Sequence, residues 1–318
     1  MWWFVPAAGA AWLLSASQDA APARPMIALW KPGLWALSAS TTTFVGLAAM
    51  QGLHDRLTDG SYSRTLAERK RQYVMYRTTS PSLVTHGGLS LTVVGLNLAA
   101  YSYCRQRPGN ILQLADGHNS EHWTLLTAAF CHMDSAHLCT NMATLIPEIP
   151  HALEACGQSP YQFVAFYVSA AIFSSYAQRC VAYSRWSQSW ISRFDFTAPL
   201  GVGASGVARA VFAASCFTQS WSSPSFIFSA LTLSRQVMGD IEGLLRSRES
   251  IGFAAHLAGA AFGVAYAYFD ANYYLWKKLV RFFRGLDGKR DRPRRPNQTE
   301  EHGDLSLDEL VRRLNSSN

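Results

Sequence analysis

The first candidate for a reactive side chain is a serine whose neighbours in sequence have small side chains or none. Ser205 lies in LGVGASGVARAVFAAS (200–215), between Gly203 and Gly206, and a mostly apolar helix pattern follows at once. A serine needs a base to become a nucleophile. Glycines that let a substrate carbonyl approach, together with the free N–H groups of a helix N-terminus, are the parts of an oxyanion hole. The alternative is an N-cap serine in a close contact between helices.

A histidine on a second apolar segment is the candidate base. His256 lies in GFAAHLAGAAFG (252–263), where Gly252, Ala255, Gly259 and Gly263 recur every three or four residues. This spacing gives one nearly bare helix face that another helix can approach closely, and His256 lies on the same face. A neutral imidazole there could contact a serine on the neighbouring helix. The alternative is a core histidine whose ring is satisfied by a backbone carbonyl.

Polar residues on a third apolar segment could act as hydrogen-bond donors. His137 and Asn141 are four residues apart and share a helix face, and His132 precedes His137 by five residues. Two donors on one face could stabilise a developing oxyanion. The alternatives are hydrogen bonds between helices and a zinc site, which no HExxH pattern or carboxylate cluster supports. No aspartate or glutamate is placed to make a triad, so the sequence predicts a Ser205–His256 dyad oriented by helix packing.

The elements that position these residues are predicted to be membrane helices. The 318-residue chain is 49% hydrophobic and 15% charged, against about 25% charged in soluble domains. Its net charge of +7 includes Lys and Arg beside apolar runs, which suits anionic lipid headgroups. No nucleic-acid recognition motif is visible, so no nucleic-acid partner is expected. The six cysteines show no metal spacing and are expected to be small core residues.

A span needs about 20 mostly apolar residues, and the sequence predicts one leading span followed by a block of six. The predicted spans are residues 34–53, 83–104, 123–149, 161–183, 205–217, 226–245 and 251–268. Lys31 and Pro32 are expected to mark the start of the first span. The run 226–245 is doubtful because Arg235, Asp240 and Glu242 are expensive in a membrane helix. The predicted fold class is therefore an all-α, polytopic membrane protein.

The chain divides into five predicted parts. They are an N-terminal leader or membrane-associated segment (1–33), an extra transmembrane helix (34–53), a basic linker (54–82), a six-helix core (83–270) and a basic, partly disordered tail (271–318). The tail begins with WKKLVRFFRG (276–285), a basic amphipathic pattern typical of a helix at the membrane interface.

Three motifs, in this order, resemble the rhomboid family of intramembrane serine proteases. LLTAAFCHMDSAHLCTNMATL (125–145) resembles the family's second core helix, GASG (203–206) is similar to its nucleophile motif, and AHLAGAAFG (255–263) resembles its sixth core helix. The resemblance covers about residues 85–270 and implies a rhomboid-like six-helix core. It implies cleavage of transmembrane segments of membrane proteins near helix-breaking residues, without a cofactor or metal.

The resemblance also implies residue roles. Ser205 would be the nucleophile and His256 the general base. His137 and Asn141, with the backbone amide of Ser205, would stabilise the oxyanion. His132 and Gly203 would be supporting residues.

One branch of the family resembles the chain further. A leading span that opens with KPGLWAL (31–37) is similar to the one-plus-six layout of the mitochondrial inner-membrane rhomboids. This implies a multi-pass protein of the mitochondrial inner membrane, with membrane lipids and transmembrane protein substrates as partners. An inner-membrane protein complex is a further expected partner.

Three departures from the family pattern support an alternative function. Arg209, four residues after Ser205, stands where some rhomboids have an aromatic residue, and it could obstruct substrate entry or perturb His256. Trp123–Thr124 stands where many members have Trp–Arg, and the charged run 226–245 corresponds to the helix at the family's substrate gate. The alternative is a catalytically impaired rhomboid-like protein that binds or helps translocate membrane proteins, for example as part of a mitochondrial inner-membrane protein translocase.

Overall fold

The structure is a computed structural model that describes seven stretches of the chain. These are residues 24–60, 83–107, 109–116, 120–188, 201–219, 222–246 and 252–285. Most of the predicted leader, residues 61–82 of the predicted linker and the tail beyond residue 285 lie outside the described residues. The predictions of a leader and of a partly disordered tail therefore stay predictions.

The described residues are mostly helical, which confirms the predicted all-α fold class. The longer helices are α1 (Arg24–Gly60), α2 (Leu83–Gln106), α5 (Ser135–Leu145), α7 (Pro160–Gln188), α8 (Ser205–Cys216), α9 (Pro224–Arg246), α10 (Phe253–Tyr273) and α11 (Leu275–Arg284). The short helices are α3 (Asn110–Leu114), α4 (Thr124–Thr127) and α6 (Ile149–Ala155), with 3-10 turns at Ala128–Phe130 and Ile146–Glu148. No strand is present in these stretches, apart from one isolated antiparallel bridge between Asp116 and Gly201.

The leading helix is longer than the predicted span 34–53. α1 continues through Pro32, so the prediction that Lys31 and Pro32 mark its start is wrong. Within the described residues, one helix, Leu29–Leu57, is long and apolar enough to cross a membrane by length and composition, with a mean hydropathy of 1.2. Ser205–Cys216 is a shorter apolar helix.

The third apolar run, predicted at 123–149, is not one helix. After α4 and the turn Ala128–Phe130 the backbone is extended at Cys131, and α5 begins anew at Ser135. Asp134 caps this new start, since its carboxylate accepts a hydrogen bond from the His137 N–H at 2.7 Å. A side-chain acceptor at the N-cap satisfies a helix N–H that has no other partner. His132 therefore precedes the helix that carries His137 and Asn141.

Among the described helices α8 is the most enclosed, and α10 lies directly against it. Nine residues of α8 are buried, and Val207 and Val211 join Phe163 and Phe166 of α7 in the main apolar core. α8 and α10 approach so closely that an added Cβ on Gly259 would collide with the Gly206 carbonyl, and one on Gly263 with the Ala210 carbonyl. The small-residue face predicted for the 252–263 segment therefore packs against α8, as expected, with the two backbones in contact.

The leading helix is held against α7 and α11. The indole N–H of Trp276 in α11 donates a hydrogen bond to Gln51 Oε1 in α1 at 2.8 Å. The hydroxyl of Ser159, the residue immediately before α7, donates to the same oxygen at 2.7 Å. Trp276 and Val280 are buried while Lys277, Lys278, Arg281 and Arg284 are exposed, which confirms the amphipathic helix predicted at 276–285.

Candidate active site

The loop that leads into Ser205 is fixed by backbone hydrogen bonds. Gly201 and Asp116 exchange N–H···O=C bonds of 2.7 and 3.0 Å, and the Gly203 N–H donates to the Ala128 carbonyl at 2.9 Å. Ser205 is the first residue of α8, and the N-cap residue Ala204 makes no side-chain capping bond. The N–H groups of the first turn of α8 therefore have neither an acceptor within the helix nor a side-chain cap from Ala204.

Asp116 is itself held by a buried ion pair that the sequence did not single out. Its carboxylate accepts hydrogen bonds from Arg179 Nε at 2.8 Å and from the Thr124 hydroxyl at 3.1 Å, and Arg179 Nη2 makes a further contact with the same oxygen. Asp116 and Arg179 are 3% and 5% exposed, so this pair is a rigid internal anchor. Thr124, a departure from the family pattern, lies within this network. The network ties the loop before Ser205 to α7.

Ser205 and His256 are within hydrogen-bond distance. The Ser205 Oγ to His256 Nε2 distance is 2.8 Å, and the imidazole lies on the face of α10 that packs against α8. The close helix contact explains this distance, because Gly206 follows the serine directly and Gly259 lies one turn after the histidine. The structure therefore brings together the two residues that the sequence predicts as a dyad.

A third residue joins the pair, contrary to the prediction that no acid is placed to make a triad. Asp240 Oδ1 lies 2.9 Å from His256 Nδ1, and Oδ2 of the same carboxylate lies 3.5 Å from Arg209 Nε. Asp240 is the one residue of α9 that is buried. Arg209, expected to obstruct entry or to perturb His256, instead forms an ion pair with the carboxylate. The missed signal was an acidic residue inside an apolar helix, which is a functional candidate by default.

Three of the other predicted residues lie together beside the serine loop. Gly203 has φ +118°, and an added Cβ there would lie 2.9 Å from His137 Nε2 and 3.5 Å from Asn141 Nδ2. Only glycine fits this position, for backbone and steric reasons. Asn141 is 6% exposed, and its Nδ2 has no hydrogen-bond partner within the described parts of the chain. A buried donor without a partner is suited to a ligand oxygen.

His132 lies behind this group. Its ring packs edge-on against His137 with centroids 5.1 Å apart, and its Nδ1 lies 3.2 Å from the Phe130 carbonyl. The carbonyl can only accept, so Nδ1 carries the proton. His132 is therefore in direct ring contact with His137.

The two contacts of His256 determine which ring nitrogen carries the proton when the imidazole is neutral. An ionised carboxylate has acceptors only, so the Asp240 contact requires a proton on Nδ1. Nε2 is then the acceptor for the Ser205 O–H, which is the orientation that general-base activation requires. No group of three or more His, Cys, Asp or Glu side chains in the described ranges could hold a metal ion.

Comparison with known protein families matches part of the chain. Residues 119–273, just under half of the chain, match the family model for the Rhomboid domain. The matched range contains Ser205, His256, Asp240, His137 and Asn141, and α1 lies outside it. No curated protein matches the chain. A Rhomboid domain implies a membrane protein, either a rhomboid-type intramembrane protease or a rhomboid-like protein, and the match supports membership of the rhomboid family.

Proposed function

We propose that the protein is an intramembrane serine endopeptidase that cleaves transmembrane segments of membrane proteins. The observation that carries the proposal is the 2.8 Å contact between Ser205 Oγ and His256 Nε2 within the Rhomboid domain. A serine hydroxyl in hydrogen-bond contact with an imidazole acceptor is the arrangement of an activated nucleophile.

The proposed reaction is acyl transfer followed by hydrolysis. Ser205 Oγ forms a bond to the peptide carbonyl carbon while its proton moves to His256 Nε2, and the carbonyl electron pair moves to the oxygen. Collapse of this intermediate breaks the C–N bond, and the leaving amine takes the proton from Nε2. A water molecule then gives its proton to Nε2 and attacks the acyl carbon, and Ser205 Oγ leaves and recovers the proton. These steps return Ser205 and His256 to their starting states, and none of them requires a cofactor.

The oxyanion is proposed to lie beside Gly203. Asn141 Nδ2 and His137 Nε2 border the space that a Cβ on Gly203 would fill. Gly203 lies two residues before Ser205, the first residue of α8, and the first N–H groups of a helix have no acceptor within it. Donors fixed before the reaction begins stabilise developing negative charge without reorganisation. Asn141 Nδ2, unpartnered among the described residues, is the donor this role requires.

The proposed location is the mitochondrial inner membrane, in the one-plus-six arrangement. Its support is the resemblance of the sequence to that branch, together with a leading apolar helix, α1, outside the matched domain. The proposed partners are transmembrane protein substrates, membrane lipids and an inner-membrane protein complex.

The alternative of an impaired rhomboid-like protein that binds or helps translocate membrane proteins loses part of its support. It depended on the charged run 226–245 and on Arg209, a cation one turn from Ser205. The pairing of Arg209 with Asp240 gives that cation a counter-charge, so Arg209 no longer argues against catalysis.

The test compares wild type with Ser205→Ala in liposomes that contain a model transmembrane substrate. Ser215→Ala is the matched control, since Ser215 is a buried serine of the same helix that donates to Glu148 at 2.8 Å. We expect cleavage and fluorophosphonate labelling in wild type and in Ser215→Ala, and neither in Ser205→Ala. Folded wild type that shows neither reaction would favour the alternative, and cleavage by Ser205→Ala would exclude Ser205 as nucleophile.

A further inference from the structure

One acidic residue on an otherwise poorly buried helix contacts the proposed base. The residues of α9 are exposed or half-buried, with the exception of Asp240, whose side chain is 7% exposed. Exposed apolar side chains such as Phe228 and Leu245 lie on the same helix. A carboxylate is among the most expensive groups to bury in a membrane helix. Its burial therefore requires compensation, and the compensating partners show what it does.

Both oxygens of the carboxylate have partners on different helices. Oδ1 lies 2.9 Å from His256 Nδ1 on α10, and Oδ2 lies 3.5 Å from Arg209 Nε on α8. The imidazole is thereby held at both nitrogens, by Asp240 at Nδ1 and by Ser205 at Nε2. A ring held at both nitrogens cannot rotate, and its tautomer is fixed.

We infer that Asp240 is a positioning residue that completes a Ser205–His256–Asp240 triad, and that Arg209 orients its carboxylate. This inference rests on the proposed protease function and replaces a dyad with a triad assembled from α8, α9 and α10. Asp240 takes no proton in the reaction. It holds the proton of neutral His256 on Nδ1 and faces the positive imidazolium that forms when Nε2 accepts the serine proton.

Arg209 makes the inference sharply testable. In Asp240→Asn the side chain keeps its shape, but one oxygen becomes an NH₂ donor. The guanidinium of Arg209 favours the amide oxygen on its own side, which turns the NH₂ towards His256 Nδ1. That nitrogen must then accept, the ring proton moves to Nε2, and His256 can no longer accept the proton of Ser205.

The second variant removes the group that imposes this orientation. Methionine at position 209 keeps a long unbranched side chain in the helix but offers no donor. In Arg209→Met/Asp240→Asn the amide is free to turn its oxygen towards His256 Nδ1, which restores the productive tautomer. The double variant is therefore expected to be more active than Asp240→Asn alone.

The experiment measures kcat and KM for cleavage of the model transmembrane substrate in liposomes, and the rate of fluorophosphonate labelling. Asp240→Asn is expected to lower kcat and the labelling rate by about 10²- to 10⁴-fold with KM little changed. In Arg209→Met/Asp240→Asn, kcat and the labelling rate are expected to be at least about tenfold higher than in Asp240→Asn, since His256 regains the productive tautomer. Glu242→Gln, the same change at an exposed carboxylate of α9, is the matched control and should retain wild-type values.

The outcomes separate this inference from the proposed function. Active wild type together with fully active Asp240→Asn overturns the triad and leaves the protease proposal intact. A loss in Asp240→Asn that the double variant does not relieve, with equally lowered thermal stability in both, shows a structural ion pair and also overturns it. Wild type that neither cleaves nor labels overturns the proposed function and the triad with it.

Discussion

The closest contact between α8 and α10 predicts a large effect from a single methyl group. In Gly259→Ala the new Cβ meets the carbonyl of Gly206, and neither atom belongs to a side chain that could turn away. The two backbones must separate by on the order of 1 Å to admit it. Gly206 follows Ser205 in sequence, and Gly259 lies one turn from His256. The strain is therefore applied where the 2.8 Å hydrogen bond is formed.

Two magnitudes follow from this geometry. Overpacking costs about 1–3 kcal/mol, while replacing glycine by alanine inside a helix returns about 1 kcal/mol. The free energy of unfolding should therefore fall by at most about 2 kcal/mol. A misplacement of about 1 Å at reacting groups costs about 10²-fold in rate. Activity should thus fall far more than stability, measured as kcat for cleavage in liposomes and as the thermal unfolding midpoint in detergent.

Gly263→Ala is the matched control. Its Cβ meets the Ala210 carbonyl in the same helix pair, but it lies about two turns from His256. We expect a similar loss of stability and a smaller loss of activity. Wild-type stability and activity in Gly259→Ala would refute the close backbone contact, and equal activity losses in both variants would refute its link to the serine–histidine distance.

Two further predictions concern buried polar groups around the site. Asn141→Leu should leave the thermal unfolding midpoint unchanged or raised, since the wild-type Nδ2 lacks a described partner. The same variant should lower kcat by about 10²- to 10³-fold, because an oxyanion donor is lost. A wild-type kcat in this variant would exclude Asn141 from the proposed oxyanion site. Asp116→Asn should lower the free energy of unfolding by about 3–5 kcal/mol, because the buried Arg179 loses its counter-charge. The exposed Glu154→Gln is its control in chemical denaturation, and equal stability of the two would show that the ion pair does not anchor the loop.

The serine–histidine pair was predictable because its signal is local. Glycines and alanines at spacings of three and four mark a helix face for close approach, and His256 lies on that face. A small-residue loop before an apolar helix marks Ser205 in the same way. The two segments pack against each other through these faces, because their small residues permit a close approach.

The contact with Asp240 could not be predicted, although its helix was noted for its charges. Asp240 and Glu242 are two residues apart, so they point in directions about 200° apart on a helix. Sequence alone does not say which of them faces the protein, because that depends on how α9 is rotated against α10. The break before α5 had a local signal, Asp134 followed by Ser135, but the apolar residues on both sides suggested one continuous run.

The contact between α8 and α10 also determines how much the separation of the two proposed reacting groups varies with time. Side chains exchange rotamers on picosecond to nanosecond timescales, and a spacing set by side chains varies with them. At Gly206, Gly259 and Gly263 the spacing is set by backbone atoms, which have no rotamers to exchange. The distance between α8 and α10 is therefore expected to fluctuate little, because it is set by backbone atoms at positions where glycine has no side chain.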